Sequence, residues 1–295
     1  MKSYLRFLGP AFLFFSCAAQ ASAQGDDFPT VTGAPPKMLL LVHQEFRSGK
    51  ANERRKIEAA ISWACDQLAV PNSWIDLESI SGSPEALFFD PFDSFEQLDT
   101  AFAEWGRIFA TRPELAHMRE ELQALVVAER TIIAVRRDDL GYRPQSIDFS
   151  KARFMRILEV RLNPGHESDF VEAFRTLSHA YETIKATTPW VVYQVNVGMP
   201  SPTFIVFLPM RALKQNDDLL DWRRRLREVE EAAQRSDQIA REAYLSTESN
   251  LYALSPETSH VSKDFANGDP EFWSPKKSAA PKPPARKDAD LKPKP

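Results

Sequence analysis

His43 is the residue of this 295-residue chain best placed by type to move a proton near neutral pH. It sits in the apolar run "KMLLLVHQEF". Glu159 and Arg161, in "FMRILEVRL", add a carboxylate to tune an acid or base and a guanidinium to orient a polar ligand. Trp74, Trp190 and Gln194 supply aromatic walls and one amide, the usual lining of a small-molecule site. Together they predict a cavity with a catalytic His43 and ligand contacts from Trp74, Glu159, Arg161, Trp190 and Gln194.

Other constellations carry less. "HESD", His166 to Asp169, lies where a helix begins, and acids there satisfy free N–H groups. His179 and Glu182 share a helix face, but no third ligand follows at a usual spacing, so no metal site is expected. Cys65 falls on an amphipathic helix as a small apolar residue. The chain has no G-x-S-x-G elbow, phosphate-binding glycine loop, cysteine cluster or H-E-x-x-H, and only ten glycines. No motif requires a cofactor. The charged run "DWRRRLREVEEAAQR" has the pattern of a solvated helix face.

The elements that position these residues occur twice. A shift of 116 residues sets Gly49 on Gly165, Trp74 on Trp190, Gly82 on Gly198, Pro84 on Pro200 and Phe88 on Phe204. It also sets His43 on Glu159 and Glu45 on Arg161. Each half reads strand, helix, strand, strand, helix, strand, the ferredoxin-like order. Ile57, Ala60, Ile61, Ala64 and Leu68 form one helical stripe; Phe170, Phe174, Leu177, Tyr181 and Ile184 form its counterpart. A sheet with helices on one face needs a cover for the other. The fold class is therefore α+β: two βαββαβ repeats, 37–140 and 151–256, whose sheets close one barrel. Alternation assigns the mixed faces to its interior: Leu41, His43 and Glu45; Ile157, Glu159 and Arg161; Trp74, Asp76 and Glu78; Trp190, Val192, Gln194 and Asn196. The apolar faces, Ile75 and Leu77 with Val191, Tyr193, Val195 and Val197, are then expected against helices.

The ends differ from the middle. Residues 1–23 have a basic start, an apolar run and "ASA" before Gln24, the pattern of a secretory leader. Cys17 after "FFS" faintly resembles a lipoprotein box, with Phe14 where leucine is preferred. A periplasmic or secreted protein is expected, with no transmembrane segment once the leader is removed. Residues 262–295 read as a disordered tail, rich in Pro, Lys and Ala from 275. The chain carries −4 overall, whereas 275–295 carries +5 and 24–274 carries −11. An acidic body argues against nucleic acid as its partner. The basic tail could touch anionic envelope polymers or lipid heads.

"LEVRLNPGHESDFVEAF", residues 158–174, resembles the opening of the dimeric α/β barrel proteins, the superfamily of NIPSNAP-like and antibiotic-biosynthesis-monooxygenase-like proteins. Pro164 and Gly165 match the turn; the first half keeps Gly49 but has Ser48 for Pro. The resemblance covers both repeats as a fused pseudo-dimer. It implies a small-molecule binder or an oxygenase-like enzyme acting on an apolar or aromatic compound. Some members use haem and many monooxygenase-like ones use no cofactor. No family's catalytic set maps onto these residues one by one, so a second class stands beside it: a non-catalytic envelope interaction module tethered by the basic tail.

Overall fold

The computed structural model describes residues 31–226 and 230–274. The leader and the segment 275–295 lie outside the described residues. Strand β1 (Met38–Phe46) leads through a Gly49 turn to helix α1 (Ala51–Leu68). Strands β2 (Trp74–Ser79) and β3 (Glu85–Phe92) form a hairpin, and helices α2 (Phe95–Thr111) and α3 (Pro113–Gln123) precede β4 (Val126–Arg136). Pro113 starts α3, where its missing N–H is no loss. The second half repeats this with β5 (Phe154–Leu162), α4 (Glu167–Thr183), β6 (Val191–Val197), β7 (Thr203–Met210), α5 (Gln215–Leu226), α6 (Glu230–Ala243) and β8 (Tyr244–His260).

All pairings are antiparallel, and the eight strands close in the order β1-β3-β2-β8-β5-β7-β6-β4. Each repeat keeps the ferredoxin-like order, with its last strand beside its first. The barrel closes because the last strand of each repeat pairs with the second strand of the other: β8 with β2 and β4 with β6. Closure explains the repeated Gly82 and Gly198. Both have positive φ, and a Cβ on Gly198 would stand 2.2 Å from the Thr131 carbonyl oxygen. A Cβ on Gly82 would stand 2.6 Å from Asn250 Oδ1, so each turn presses on the opposite repeat.

The interior is filled. Leu39 and Leu41, Ile75 and Leu77, Leu87 and Phe89, and Val191, Tyr193 and Val195 belong to one buried cluster with Ile157, Phe207 and Leu254. The Phe89 and Phe207 rings meet edge-on at 5.6 Å. The interior faces of β1 and β5 are those that alternation assigns. Those of β2 and β6 are reversed: their apolar faces point in, and Trp74, Asp76, Trp190 and Val192 face the helices. An eight-stranded barrel is just wide enough for side chains to fill, and here apolar ones fill it. The mixed faces find polar partners in the helix layer instead. There Arg54, on α1, donates to Asp76 Oδ2 at 2.5 Å and pairs with Glu58, and all three residues are buried.

The base of the barrel, where β1 and β5 begin, is plugged by the connections. Ile147 and Phe149 from the linker between repeats join the interior cluster. So do Phe265 and Trp273 from two short helices, α7 (Lys263–Ala266) and α8 (Pro270–Trp273). The Trp273 indole N–H donates to the Ser150 carbonyl at 2.6 Å. The tail expected from 262 therefore starts too early. Residues 263–273 are ordered because two aromatic side chains bury themselves in the plug.

Candidate functional site

The opposite end is polar. β4 and β8 outrun their neighbours: Val197 of β6 pairs only as far as Ile133, and Ser79 of β2 only as far as Tyr252. Between these projecting strands the interior face of β1 carries His43, that of β5 carries Glu159, and β3 begins with Glu85. His43 Nδ1 lies 3.5 Å from Glu85 Oε2, and His43 Nε2 lies 3.8 Å from Glu159 Oε1. The Tyr252 hydroxyl donates to the other Glu85 oxygen. The side chains of His43, Glu85 and Glu159 are 7%, 11% and 17% exposed, so three ionisable groups meet in a largely dehydrated space. Arg130 and Glu248 stand opposite His43 and Glu159 in the strand register and are exposed at the rim.

The two carboxyls are pushed apart. Burial holds Glu159 above its ordinary range, and the charges of His43 and Arg130 only partly offset it. Burial acts on Glu85 too, but hydrogen bonds from His43 and Tyr252 outweigh it and bring Glu85 below its ordinary range. Burial and the Glu85 bond push the Tyr252 phenol up, so it stays a donor. One ionised carboxylate thus holds the imidazole, and a second, easily protonated one stands across from it. Carboxyls whose environments separate their acidities mark acid–base assignments.

Of the residues singled out from the sequence, His43 and Glu159 come together. Arg161 is half-buried two positions along the same face of β5, and its side chain makes no hydrogen bond or ion pair with a described residue. Trp74, Trp190 and Gln194 lie on the other side of the sheet. The Trp74 N–H donates to the Thr258 carbonyl at 2.9 Å, and its ring stands 5.0 Å from His260. The Trp190 N–H donates to Leu140 at 3.0 Å, and its ring packs edge-on against Tyr181 at 4.7 Å. Gln194 accepts from Arg137 Nη1 at 2.8 Å. Glu85 and Tyr252 are missed in the sequence, although alternation along "EALFF" places Glu85 on one face with Leu87 and Phe89.

His166 bonds Asp169 at 2.6 Å at the start of α4, and no metal-binding cluster occurs among the described residues. Cys65 is buried, and burial pushes its thiol up to about 12, which leaves it unreactive. No helix among the described residues is long and apolar enough to cross a membrane. His43 and His260 have neither ring nitrogen free for a haem iron. Both nitrogens of His43 face carboxylates, and His260 is held by Asp66 and the Val70 carbonyl. His166 is tied to Asp169, and His117 and His179 lie on exposed helix faces.

No protein-family model matches the chain, and no curated protein matches it. Solved structures do. An anthrone oxidase-like protein is 12% identical with a TM-score of 0.50, over 77% of this chain and 94% of that one. A proposed monooxygenase from Lactobacillus acidophilus is 7% identical with a TM-score of 0.46, over 76% and 96%. Chlorite dismutase from Candidatus Nitrospira defluvii, in complex with imidazole, is 10% identical with a TM-score of 0.45, over 75% and 91%. The fold is that of a dimeric α/β barrel, closed here by two ferredoxin-like repeats of one chain.

Proposed function

We propose that the polar mouth of the barrel is a small-molecule site in which His43 exchanges a proton with the bound compound. One observation carries this. His43 is fixed by Glu85 on one nitrogen, while the other stands 3.8 Å from Glu159, too far for a direct hydrogen bond and open to a bridging group. Such contacts commonly tighten only when substrate is present. The filled interior below the mouth limits the ligand to a compact apolar or aromatic compound with one polar group, which Glu159 and Arg161 orient. In the oxygenase-like form of this proposal, His43 removes a proton from an activated C–H or phenolic O–H. Dioxygen is then the oxidant of the resulting anion. The barrel shared with an anthrone oxidase-like protein supports a mouth of this kind. The pattern of residues 1–23 supports export to a periplasm or medium.

The test begins with native mass spectrometry of the protein from its host, which identifies a co-purifying compound. That compound, or a phenolic library where none is retained, is titrated into wild type and His43→Gln. At least a tenfold loss of affinity with an unchanged melting temperature is the expected result. Equal affinity in the two proteins overturns the site.

A further inference from the structure

A second site lies outside the barrel, between β1, β3, the segment before β2, and α2. The geometry points to a cleft that binds the head of a small organic ammonium ion, of the primary alkylamine class. The cleft has a volume of about 30 Å³, with Trp74, Trp105 and Phe102 among its walls. By the space one water needs, it holds about two waters or one ammonium group with its first carbon. Two polar atoms in it are buried without a partner, Asn72 Oδ1 and Asp90 Oδ1. Asn72 is 6% exposed. Both atoms are acceptors, so the occupant they require is a donor. The Trp74 and Trp105 rings, 6.0 Å apart and tilted by 48°, give the aromatic faces that favour a cation over a neutral donor. Phe102, 54% exposed, stands at the side where an alkyl chain would leave.

The fold does not itself demand an acid here. In the second repeat the position of Asp90 is taken by Val206, which is buried among apolar residues, and that of Asn72 by Thr188. None of the other residues lining the cleft is titratable, so no cation of the protein balances Asp90. Burial alone holds its carboxyl up to about 8. An ammonium ion would supply the missing charge: Asp90 gives up its proton to solvent as the cation binds, and no covalent bond changes. Affinity then rises with pH until the acid is fully ionised. An acid titrating near 8 makes binding about 25-fold tighter at pH 8.5 than at pH 6.5.

The experiment titrates the folded protein with n-butylammonium chloride, at pH 6.5 and 8.5 and matched ionic strength, following tryptophan fluorescence and heat. Sodium chloride and n-butanol serve as controls. Saturable binding that is tighter at the higher pH, with about one proton released per site at pH 6.5 and about a quarter of one at pH 8.5 in weakly buffered solution, is the expected result. Asp90→Val, which copies the second repeat, abolishes it, and Trp105→Leu weakens it at least fivefold. No saturable binding, equal binding of n-butanol, or binding without proton release overturns the site. The proton-release measurement uses wild type, so it decides the matter even where a variant fails to fold.

Discussion

Arg54→Met tests the electrostatics of the helix layer. The Arg54 guanidinium bonds Asp76 at 2.5 Å and Glu78 at 3.3 Å, pairs with Glu58, and stands 4.9 Å from the centre of the Phe46 ring. Methionine keeps most of the apolar stem, so little cavity forms and the loss is chiefly that of charge. Glu78 keeps its ion pair with Arg55. Burial already holds Glu58 well above its ordinary range. Asp76, fully buried, is left as the uncompensated charge, with Thr258 its remaining side-chain donor. Breaking a buried pair on one side costs about 3–5 kcal/mol, and the surviving Thr258 bond favours the lower end. For a body of this size, about 3 kcal/mol lowers the melting temperature by roughly 6–12 °C. The sign with pH is fixed. Burial raises the folded-state pKa of Asp76 and Glu58, so each contributes most to stability below the unfolded carboxylate range and loses it as pH rises through the folded value. Without Arg54 both values rise further, so the deficit of the variant grows with pH. Calorimetric melts at pH 5 and pH 8 measure it. A deficit no larger at pH 8 than at pH 5, or below about 1 kcal/mol at pH 8, would refute the assignment.

Trp190→Ala and Trp273→Ala remove buried indoles from the helix layer and from the plug, and each is expected to lose about 3–5 kcal/mol by urea unfolding. Loss at Trp190 without stability change would mean that the indole is not structural, and no loss at Trp273 would mean that the plug is not part of the folded body.

The strand order was legible because it follows from a duplication, and the repeated Gly82 and Gly198 marked the turns that closure compresses. The inward faces of β1 and β5 were assigned by the same mixed-face rule that fails at β2 and β6; it holds here because His43, Glu45, Glu159 and Arg161 continue, toward the polar end, faces that Leu39, Leu41, Met155 and Ile157 carry into the core. The faces of β2 and β6 were not. "WIDLES" shows only that Ile75 and Leu77 oppose Trp74 and Asp76. Which face meets helices depends on what those helices offer, and Arg54 lies twenty-two positions from Asp76 in the chain. Of the mouth, His43 and Glu159 could be found because the repeat superposes them. Glu85 stands alone beside a turn, and Tyr252 lies in a strand whose polar start hides the later alternation. Residues 262–274 read as tail because Asp, Gly and Pro surround Phe265, Phe272 and Trp273.

The same superposition explains why the first repeat keeps charges in its helix layer. Arg54, Glu58 and Asp76 correspond to Phe170, Phe174 and Val192, which are buried, and the Phe170 ring stacks on Phe204 at 4.2 Å. The frame accepts either solution. The difference lies beyond the shared strand: β8 runs unbroken to His260, whereas β4 stops at Arg136 and the chain reaches the equivalent bridge, Tyr142 to Trp190, through a turn. The extra length returns over α1 and β2 and is held by polar contacts. Thr258 donates to Asp76 at 2.5 Å, the Asp76 N–H donates to Ser259 at 2.9 Å, and Ser62 donates to the Ser259 carbonyl at 2.6 Å. The charged trio thus anchors the segment that carries the chain to its plug; the equivalent segment over the second repeat, ending at Tyr142, is held by its bridge to Trp190 and by Leu140 and Tyr142 packed on the Phe170 and Phe174 cluster. Replacing a buried ionic cluster by apolar residues of similar volume is often neutral or stabilising by 1–4 kcal/mol, so the triple variant Arg54→Phe, Glu58→Phe, Asp76→Val should not share the deficit of Arg54→Met. Its amides at 255–260 should nonetheless exchange faster with deuterium, because Thr258 loses its acceptor. A triple variant as unstable as Arg54→Met would show that the trio supports the body itself, and unchanged exchange at 255–260 would show that it does not hold the strand.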